Sequence, residues 1–548
     1  MDCLFVNPVN YQKPNELMLP LGLLSLATVL NEGGRHKASV LDFNYVHAAN
    51  PGLFGGNLDE CIQRSVDRIL DYAPGFVSIY SMCSTHCYAI LLAEEIKSRE
   101  PGVIVALGGP HASVTAAETL AVCPSIDLIG LGEGEMQISR IVTAFEESNP
   151  AACNGIMYRA GDEIVAAPPG ELAEDLDSLP LLDYSLMNYD ITGTWNMNIE
   201  VGRGCPYGCT FCSTSRFWQR RCRVKSAERI YQEMLMLSRE YNICSFRFVH
   251  DQFVTNRHNV SDLCDMIVKG GHDWKWGCNA RIDTVDRALL EKMAAAGCRT
   301  ILFGIETGSA AMQKKIRKNI DLNIINTILP ILRELNLRVF FTFIYGYPSE
   351  TEEDVTQTLD LIHKLYGYFS KDRNRIRMFI ILNKLSVFPG TPIYEEIKDE
   401  LNANGRPASE LNPASWNHAR LNQVIGNRNI FPHYYDLDNE MSRAYDGLKV
   451  YYQYICRALV NYFEGTYRLL KEEFTTYNQI YFSFSRFFGE EIYTLENQTY
   501  ANKLAFVYFC LEMFKKYIDN AYFSQYQAQI KEMFRFEYTL FKSMARAV

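Results

Sequence analysis

Apolar residues in the first part of the chain form short, nearly continuous runs that are separated by longer amphipathic stretches. The runs lie at residues 3–6, 38–41, 76–80, 103–107 and 128–130. Near-continuous apolar runs of this length are typical of strands in a parallel sheet that is buried on both faces. The stretches between them, such as residues 87–98, have helical spacing. This alternation predicts five βα units and a doubly wound, Rossmann-like α/β domain over residues 1–150.

A second series of strand and helix patterns begins near residue 191. Its six strand candidates lie at residues 198–201, 245–249, 275–279, 300–304, 338–343 and 377–382. Regular strand-then-helix alternation predicts a partial (β/α)6 barrel over residues 191–395, with functional groups at the carboxyl ends of its strands.

The remaining segments are predicted from composition and spacing. Residues 151–190 contain Pro168-Pro169-Gly170 followed by an acidic stretch, which predicts an ordered connector. Aromatic residues between 439 and 544 follow helical spacing, which predicts a mainly helical carboxyl-terminal domain over residues 396–548. Its aromatic stripe is interpreted as core, with a cap over the barrel mouth as the alternative.

Composition excludes several function classes. A chain of 548 residues exceeds what one core organises, so two or three domains are expected. A net charge of −10 argues against a nucleic-acid partner. The longest apolar stretch without charge, residues 17–30, is too short to span a bilayer. Because the amino terminus lacks a basic leader, we expect the reducing cytoplasm, where most of the sixteen cysteines are ordinary thiols.

The strongest chemical signal is a Cys-x3-Cys-x2-Cys triplet made by Cys205, Cys209 and Cys212 on a glycine-rich loop. Three thiolates hold three irons of a cubane cluster and leave the fourth iron open for a ligand. The alternative is a zinc site with Cys222 as fourth ligand. Zinc sites are closed by four ligands, and no paired Cys-x2-Cys or His-x3-His follows, so the pattern favours the iron–sulfur interpretation.

The loops that follow the strands of the first domain are rich in glycine and polar residues. They are Asn7-Pro8, residues 81–85, Gly108-Gly109-Pro110-His111 and residues 130–135. Ligands of doubly wound sheets bind beyond the carboxyl ends of the strands. Glycine there permits positive φ and close backbone approach, which suits a flat or phosphate-bearing ligand.

These motifs resemble those of a known family. The triplet resembles the cluster loop of the radical S-adenosylmethionine superfamily, in which the open iron chelates S-adenosylmethionine and an electron then yields a 5′-deoxyadenosyl radical. The first domain, with Pro20-Leu21-Gly22-Leu23 and Gly108-Gly109-Pro110-His111, resembles the cobalamin-binding domain of one large subclass. The resemblance covers residues 1–395. It implies three cofactors: a 4Fe-4S cluster, S-adenosylmethionine and cobalamin.

The resemblance also implies site residues. Cys205, Cys209 and Cys212 would bind the cluster; Phe211, Asp251, Arg281 and Glu306 would contact S-adenosylmethionine; and Asn7, Ser84, Thr85, Gly108, Gly109, His111, Gly132 and Glu133 would contact cobalamin. The Asp-x-His-x-x-Gly signature of other cobalamin proteins is absent, so no lower cobalt ligand is named. We expect His111 to hydrogen-bond within its loop. No further catalytic residue is named.

The leading functional hypothesis is a cobalamin-dependent radical S-adenosylmethionine methyltransferase. It would act on an unactivated carbon or phosphorus of a peptide or natural product, with a flavodoxin or ferredoxin as electron donor and without nucleic acid or membrane. One alternative keeps both cofactors for ring formation, rearrangement or oxidation. Another is a non-catalytic cobalamin sensor, and a Rossmann-like module without its ligand is a third. A methylthiotransferase would need a third cysteine beside Cys83 and Cys87.

Overall fold

The computed structural model describes residues 1–9, 18–50, 52, 57–369, 378–402 and 426–437, together with residues 420, 423, 441, 444, 445 and 448. The described chain divides into two compact units. The first comprises residues 1–280, 286–299 and 386–437, and the second comprises residues 281–285 and 300–385 with the chain after 437. The predicted helical domain over residues 396–548 lies largely outside the described residues.

The first large sheet is built by the amino-terminal part of the first unit. Its parallel strands are β1 (Asp2–Asn7), β2 (Lys37–Asp42), β3 (Phe76–Tyr80), β4 (Ile104–Gly108) and β5 (Leu128–Gly130), each within one residue of its predicted bounds. Its helices are α1 (Leu21–Glu32), α2 (Phe43–Ala49), α3 (Leu58–Leu70), α4 (His86–Arg99), α5 (Pro110–Val114), α6 (Ala116–Val122) and α7 (Ile138–Glu146). The predicted doubly wound α/β domain is confirmed.

The predicted connector contains a hairpin that extends this sheet. Strands β6 (Ile156–Ala160) and β7 (Glu163–Ala166) pair antiparallel, and the complete strand order is β2-β1-β3-β4-β5-β6-β7. The two residues between them, Gly161 and Asp162, are a sequence signal for a tight hairpin, and Gly161 has a φ of 62°. The sequence analysis did not predict this hairpin, and the role of residues 151–190 as an ordered connector stays a prediction.

The second large sheet has six strands: β8 (Met197–Glu200), β11 (Ser245–Val249), β12 (Lys275–Ala280), β13 (Cys298–Glu306), β14 (Arg338–Tyr345) and β15 (Met378–Lys384). In the first unit β11 pairs in parallel with β8 and with β12. In the second unit β14 pairs in parallel with β13 and with β15. The six predicted parallel strands of the barrel are confirmed.

Helices and two short ribbons connect these strands. The helices are α8 (Thr214–Phe217), α9 (Ala227–Tyr241), α10 (Arg257–Gly270), α11 (Arg287–Ala295), α12 (Ala310–Lys315), α13 (Ile324–Glu334), α14 (Glu352–Phe369) and α15 (Pro392–Ile397). Strand β9 (Gly202–Arg203) pairs with β10 (Arg223–Val224), and β16 (Leu401–Asn402) pairs with β17 (Asp436–Leu437).

Side-chain caps fix where many of these helices begin. The cap residue accepts a hydrogen bond from a backbone amide of the first turn, which satisfies a donor that the helix itself cannot pair. Such caps are made by Asp42, Asn57, Ser226, Asn256, Asp286, Ser309 and Thr391. Two of these caps lie at the carboxyl ends of strands, because Asp42 is the last residue of β2 and Ser309 follows the end of β13 by three residues.

Candidate active site

The three cysteines of the triplet lie on the loop between strand β9 and helix α8. Cys209 is buried, whereas Cys205 and Cys212 are half-buried. The loop is tight, because the backbone amide of Cys212 donates to the carbonyl of Cys209 at 3.2 Å. Gly204 precedes the first cysteine with a φ of 81°, and a Cβ at this position would lie 2.0 Å from the Arg221 carbonyl oxygen. Only glycine fits there.

Side chains that follow strand β11 hold this loop in place. The Nε2 of His250 lies 2.8 Å from the carbonyl oxygen of Gly204, so this nitrogen carries the proton and donates. Burial lowers the pKa of His250 to about 4, which keeps the ring neutral. Asp251 accepts a hydrogen bond from the hydroxyl of Thr214 at 3.1 Å. The predicted residues Asp251, Phe211 and the triplet therefore belong to one compact unit.

Burial and mutual proximity affect the ionisation of the triplet. Burial raises the pKa of the Cys205 thiol to about 11, and negative charge on Cys212, Asp251 and Cys209 adds to the effect. The thiols are thus close enough to repel one another as thiolates, and positively charged iron would relieve that repulsion. Among the described residues, no group of three or more His, Cys, Asp or Glu side chains is arranged to hold a metal ion, the triplet included.

The carboxyl edge of the first sheet is open at its glycines. A Cβ on Gly108 or on Gly132 would meet no atom within 4 Å, and Gly132 has a φ of 75°. Gly109 is different, because its φ is 112° and a Cβ would lie 2.7 Å from the Ser81 carbonyl oxygen. Gly109 thus permits the turn itself, while Gly108 and Gly132 leave space beside the strand ends for a ligand.

A cavity of about 440 Å³ adjoins this edge. The first domain contributes Ser113 and Gly132, and the backbone amide of Gly132 donates to the Ser113 hydroxyl at 3.1 Å. Helix α8, which follows the cysteine loop, contributes Arg216 and Phe217. The other lining residues include Gln137, Gly170, Gln219, Pro389, Tyr394 and Asn429. Gly170, in the segment after the unpredicted hairpin, and Arg216 and Gln219, in the segment after the triplet, thus all reach this cavity.

Several residues predicted to bind cobalamin have hydrogen-bond or ion-pair partners within the protein. Asn7 donates to Asp42 at 2.9 Å, and the hydroxyl of Thr85 accepts from the amide of Met82 at 3.1 Å. Ser84 is half-buried in the same loop as Thr85. The carboxylate of Glu133 is ion-paired with two arginines. Their predicted contacts with cobalamin stay predictions.

The ring of His111 is buried within the protein. It packs against His86 at 4.7 Å, His433 at 5.3 Å and Phe431 at 5.9 Å between ring centroids. Burial lowers the pKa of His111 to about 4. The ring is therefore neutral and packs inside this aromatic cluster.

The two remaining predicted residues, Arg281 and Glu306, belong to the second unit, where each joins a polar network. Glu306 has a φ of 70°, which is strained for a side chain of this kind, and its carboxylate pairs with Lys318 at 3.2 Å. Arg281 pairs with Asp283 at 2.7 Å and donates to the Lys318 carbonyl at 2.8 Å. Sequence reasoning missed Lys318, since nothing in its local pattern marks it. The role of this network in binding S-adenosylmethionine stays a prediction.

Two family models match the chain. Residues 10–142 match the B12 binding domain, and residues 199–362 match the Radical SAM superfamily. The chain belongs to the cobalamin-binding radical S-adenosylmethionine family. The cofactor set predicted from the sequence, a 4Fe-4S cluster with S-adenosylmethionine and cobalamin, is the set that these two domains use, and that prediction is confirmed.

Curated relatives and a solved structure agree with this family. An uncharacterized methyltransferase of Pyrococcus horikoshii is 29% identical over 351 residues, which span 63% of this chain and 73% of the relative. The anaerobic magnesium-protoporphyrin IX monomethyl ester cyclase of Cereibacter sphaeroides is 27% identical over 382 residues, which span 67% of this chain and 59% of the relative. The cobalamin-dependent S-adenosylmethionine radical enzyme OxsB, solved with aqua-cobalamin bound, matches 100% of this chain and 80% of its own at 16% identity, with a TM-score of 0.64. This last likeness shows the fold.

Within the described part of the chain, no helix has both the length and the apolar composition that a membrane span requires.

Proposed function

We propose that the chain is a cobalamin-dependent radical S-adenosylmethionine methyltransferase that acts on an unactivated carbon or phosphorus of a peptide or natural product. One observation carries the proposal. The cavity beside Gly132 is lined from the other side by Arg216 and Phe217, on the short helix that begins directly after the cysteine loop. Cobalamin at this cavity and a cluster on the cysteine loop would therefore be neighbours. A reaction that uses both cofactors requires this proximity.

The residues of this chain would hold and orient the two groups. Cys205, Cys209 and Cys212 would bind the cluster, with His250 fixing their loop through the Gly204 carbonyl. The strand ends at Gly108 and Gly132, together with the cavity beside Gly132, would receive cobalamin. When bound, the cluster with S-adenosylmethionine supplies a 5′-deoxyadenosyl radical, and cobalamin supplies a methyl group. The protein then contributes positioning and exclusion of water.

Arg216 has a specific place in this proposal. It contributes positive charge to the cavity lining, where Glu118, Gln137 and Tyr394 are among the other polar side chains. A guanidinium matches the planar, bidentate geometry of phosphate and carboxylate groups. We propose that Arg216 contacts the phosphate of cobalamin or an anionic group of the substrate.

A second candidate function uses both cofactors without methyl transfer. It is favoured by the similarity to the cyclase of Cereibacter sphaeroides, whose name describes ring formation. The two functions differ in the fate of S-adenosylmethionine. Methyl transfer consumes one molecule as methyl donor, which leaves S-adenosylhomocysteine, and a second as radical source, which leaves 5′-deoxyadenosine. Ring formation, rearrangement or oxidation leaves 5′-deoxyadenosine alone.

The test is anaerobic incubation of the cobalamin-loaded, reduced protein with S-adenosylmethionine, followed by quantification of both products. Methyl transfer predicts S-adenosylhomocysteine together with 5′-deoxyadenosine. A variant with Cys205, Cys209 and Cys212 all replaced by alanine should form no 5′-deoxyadenosine. It should form at most one equivalent of S-adenosylhomocysteine per bound cobalamin, because no radical step then removes the methyl group from cobalamin. Wild-type protein that forms 5′-deoxyadenosine without S-adenosylhomocysteine would support the second candidate. A flavodoxin or ferredoxin of the reducing cytoplasm is the proposed electron donor.

A further inference from the structure

A largely buried network of charged side chains connects the loop after strand β5 with the end of strand β8 and with the ribbon of β9 and β10, whose two strands flank the cysteine loop. Its members are Glu133, Glu135, Glu200, Arg203 and Arg223. The side chains of Glu133 and Arg203 are only 2% and 4% exposed. Charged groups are rarely buried to this degree unless every partner is fixed, so the network specifies one arrangement of the two loops.

Arg203 connects three carboxylates. Its Nε donates to Glu200 at 3.0 Å, its Nη1 to Glu133 at 3.1 Å and its Nη2 to Glu135 at 2.6 Å. Burial alone would raise the pKa of Glu135, but the guanidinium of Arg203 outweighs this effect and lowers it, so the carboxylate stays charged. The planar fork of arginine is what allows one side chain to serve partners in three directions.

Glu133 also separates two like charges. Arg203 and Arg223 are direct partners across the antiparallel ribbon of β9 and β10, a position where like charges destabilise pairing. The Glu133 carboxylate accepts from both guanidinium groups, and Arg223 donates further to the Ala173 carbonyl at 2.6 Å. The ring of Trp218 lies 5.9 Å from Arg203 and 5.8 Å from Arg223. The ribbon therefore depends on a carboxylate that the first domain supplies.

The two ends of the network adjoin the two proposed cofactor sites. Glu133 directly follows Gly132, which lines the cavity, and Arg203 is separated from Cys205 only by Gly204. A displacement of either loop must break ion pairs that are shielded from water. Binding at one loop should therefore change the free energy of binding at the other.

We propose that Glu133 and Arg203 are positioning residues that couple cobalamin binding to the occupancy of the iron–sulfur site. This inference rests on the proposed function, because it requires both cofactors to bind. Coupling between two sites is reciprocal, so it can be measured from either side. Cobalamin should bind with a different affinity when the cluster is present than when it has been removed.

The experiment is equilibrium dialysis of the full chain with hydroxocobalamin, under anaerobic conditions, before and after removal of the cluster with a chelator. In the wild type we expect the two dissociation constants to differ by roughly 5-fold to 150-fold, the usual range of coupling between sites. In Arg203→Lys we expect the ratio to approach one while cobalamin still binds. In Glu133→Gln, at a residue that also lines the proposed cobalamin cavity, we expect the ratio to approach one with weaker cobalamin binding in both states. A lysine ammonium lacks the planar fork that reaches three carboxylates.

The matched control is Glu233→Gln. Glu233 is buried like Glu133, with 6% of each residue exposed, and pairs with Lys225 and Arg229 at 2.8 Å each. It lies on helix α9 and belongs to a different ion-pair cluster. Its substitution should leave the wild-type ratio unchanged, which separates loss of coupling from general loss of stability.

Each outcome decides the inference. A wild-type ratio of one, or a wild-type ratio that persists in both variants, would overturn it while leaving the proposed function intact. Absence of cobalamin binding in the wild type would instead refute the proposed function and the inference with it. If Glu133→Gln does not fold, Arg203→Lys alone decides, because it retains the positive charge.

Discussion

At the scale of single residues, glycines decide where a ligand can approach the first sheet. Gly132 has a φ of 75° and open space where a Cβ would project. Gly132→Ala should cost about 1 kcal/mol of stability, because alanine is strained in the left-handed region. The added methyl group should also project into the cavity and weaken cobalamin binding. Thermal unfolding and a cobalamin titration measure the two effects.

Gly34 provides the matched control for this substitution. Its φ is 72° and a Cβ would also meet no atom within 4 Å, but it lies in the turn after helix α1. Gly34→Ala should lower the stability by a similar amount and leave cobalamin affinity unchanged. Equal cobalamin affinity in both variants would show that Gly132 does not face the ligand.

Gly204 has a different role, since its missing side chain makes room for the protein backbone. A Cβ at this position would lie 2.0 Å from the Arg221 carbonyl oxygen. Gly204→Ala should therefore displace the cysteine loop and abolish iron binding after anaerobic reconstitution. Gly271→Ala, at a φ of 66° with no atom within 4 Å, should retain iron. Full iron content in Gly204→Ala would contradict this account of the loop.

Some site residues could be predicted from the sequence and others could not. Cys205, Cys209 and Cys212 could be proposed as cluster ligands from the sequence, because the chemistry depends on their spacing within one loop. The partners Glu133 and Arg203 are separated by 70 positions along the chain. Each looks like an ordinary charged loop residue until the fold brings them together. Lys318 was missed for the same reason, since only its contact with Glu306 marks it.

At the scale of secondary structure elements, buried apolar runs were more informative than composition. Strands β3, β5 and β11 have the predicted bounds. The hairpin of β6 and β7 was missed because its strands are short and partly exposed, and the neighbouring prolines favoured a connector. The Gly161-Asp162 turn was the signal that could have revealed it.

Glu350, just before helix α14, predicts that the stability of the folded state changes with pH. Burial raises the pKa of Glu350 to about 7, although its carboxylate accepts from the amides of Gly346 and Tyr347. The folded state therefore binds a proton that the unfolded state releases, and stability falls as pH rises from about 4.5 to 7. Glu350→Gln should remove this pH-dependent loss of stability, because glutamine does not titrate. Its melting temperature should match the wild type near pH 4.5 and exceed it by a few degrees at pH 8.

Glu353→Gln is the control for that prediction. Glu353 is exposed in the first turn of the same helix, where a negative charge is favourable at the amino terminus. Its substitution should give no gain in melting temperature at pH 8. If the difference between Glu350→Gln and wild type does not depend on pH, the carboxyl group is not protonated in the folded state near neutral pH.

At the scale of the whole molecule, the order of domains was predictable because each domain repeats one strand-and-helix pattern. A B12 binding domain precedes a radical S-adenosylmethionine domain, as the resemblance of the loop motifs and of the cysteine triplet to that family implied. The contact of Glu133, from the first domain, with the ribbon of β9 and β10 was not predictable, because it depends on long-range packing. The helical domain after residue 396 stays a prediction, as does the substrate that it would help to select.

The most direct test of the central claim is metal analysis of the protein purified anaerobically with cobalamin supplied. We predict about four irons and one cobalt per chain in the wild type and in Cys244→Ala, an exposed cysteine outside the triplet. The variant with Cys205, Cys209 and Cys212 replaced by alanine should lose the iron and keep the cobalt. Zinc in place of iron, or iron without cobalt, would contradict the claim that one chain binds both cofactors.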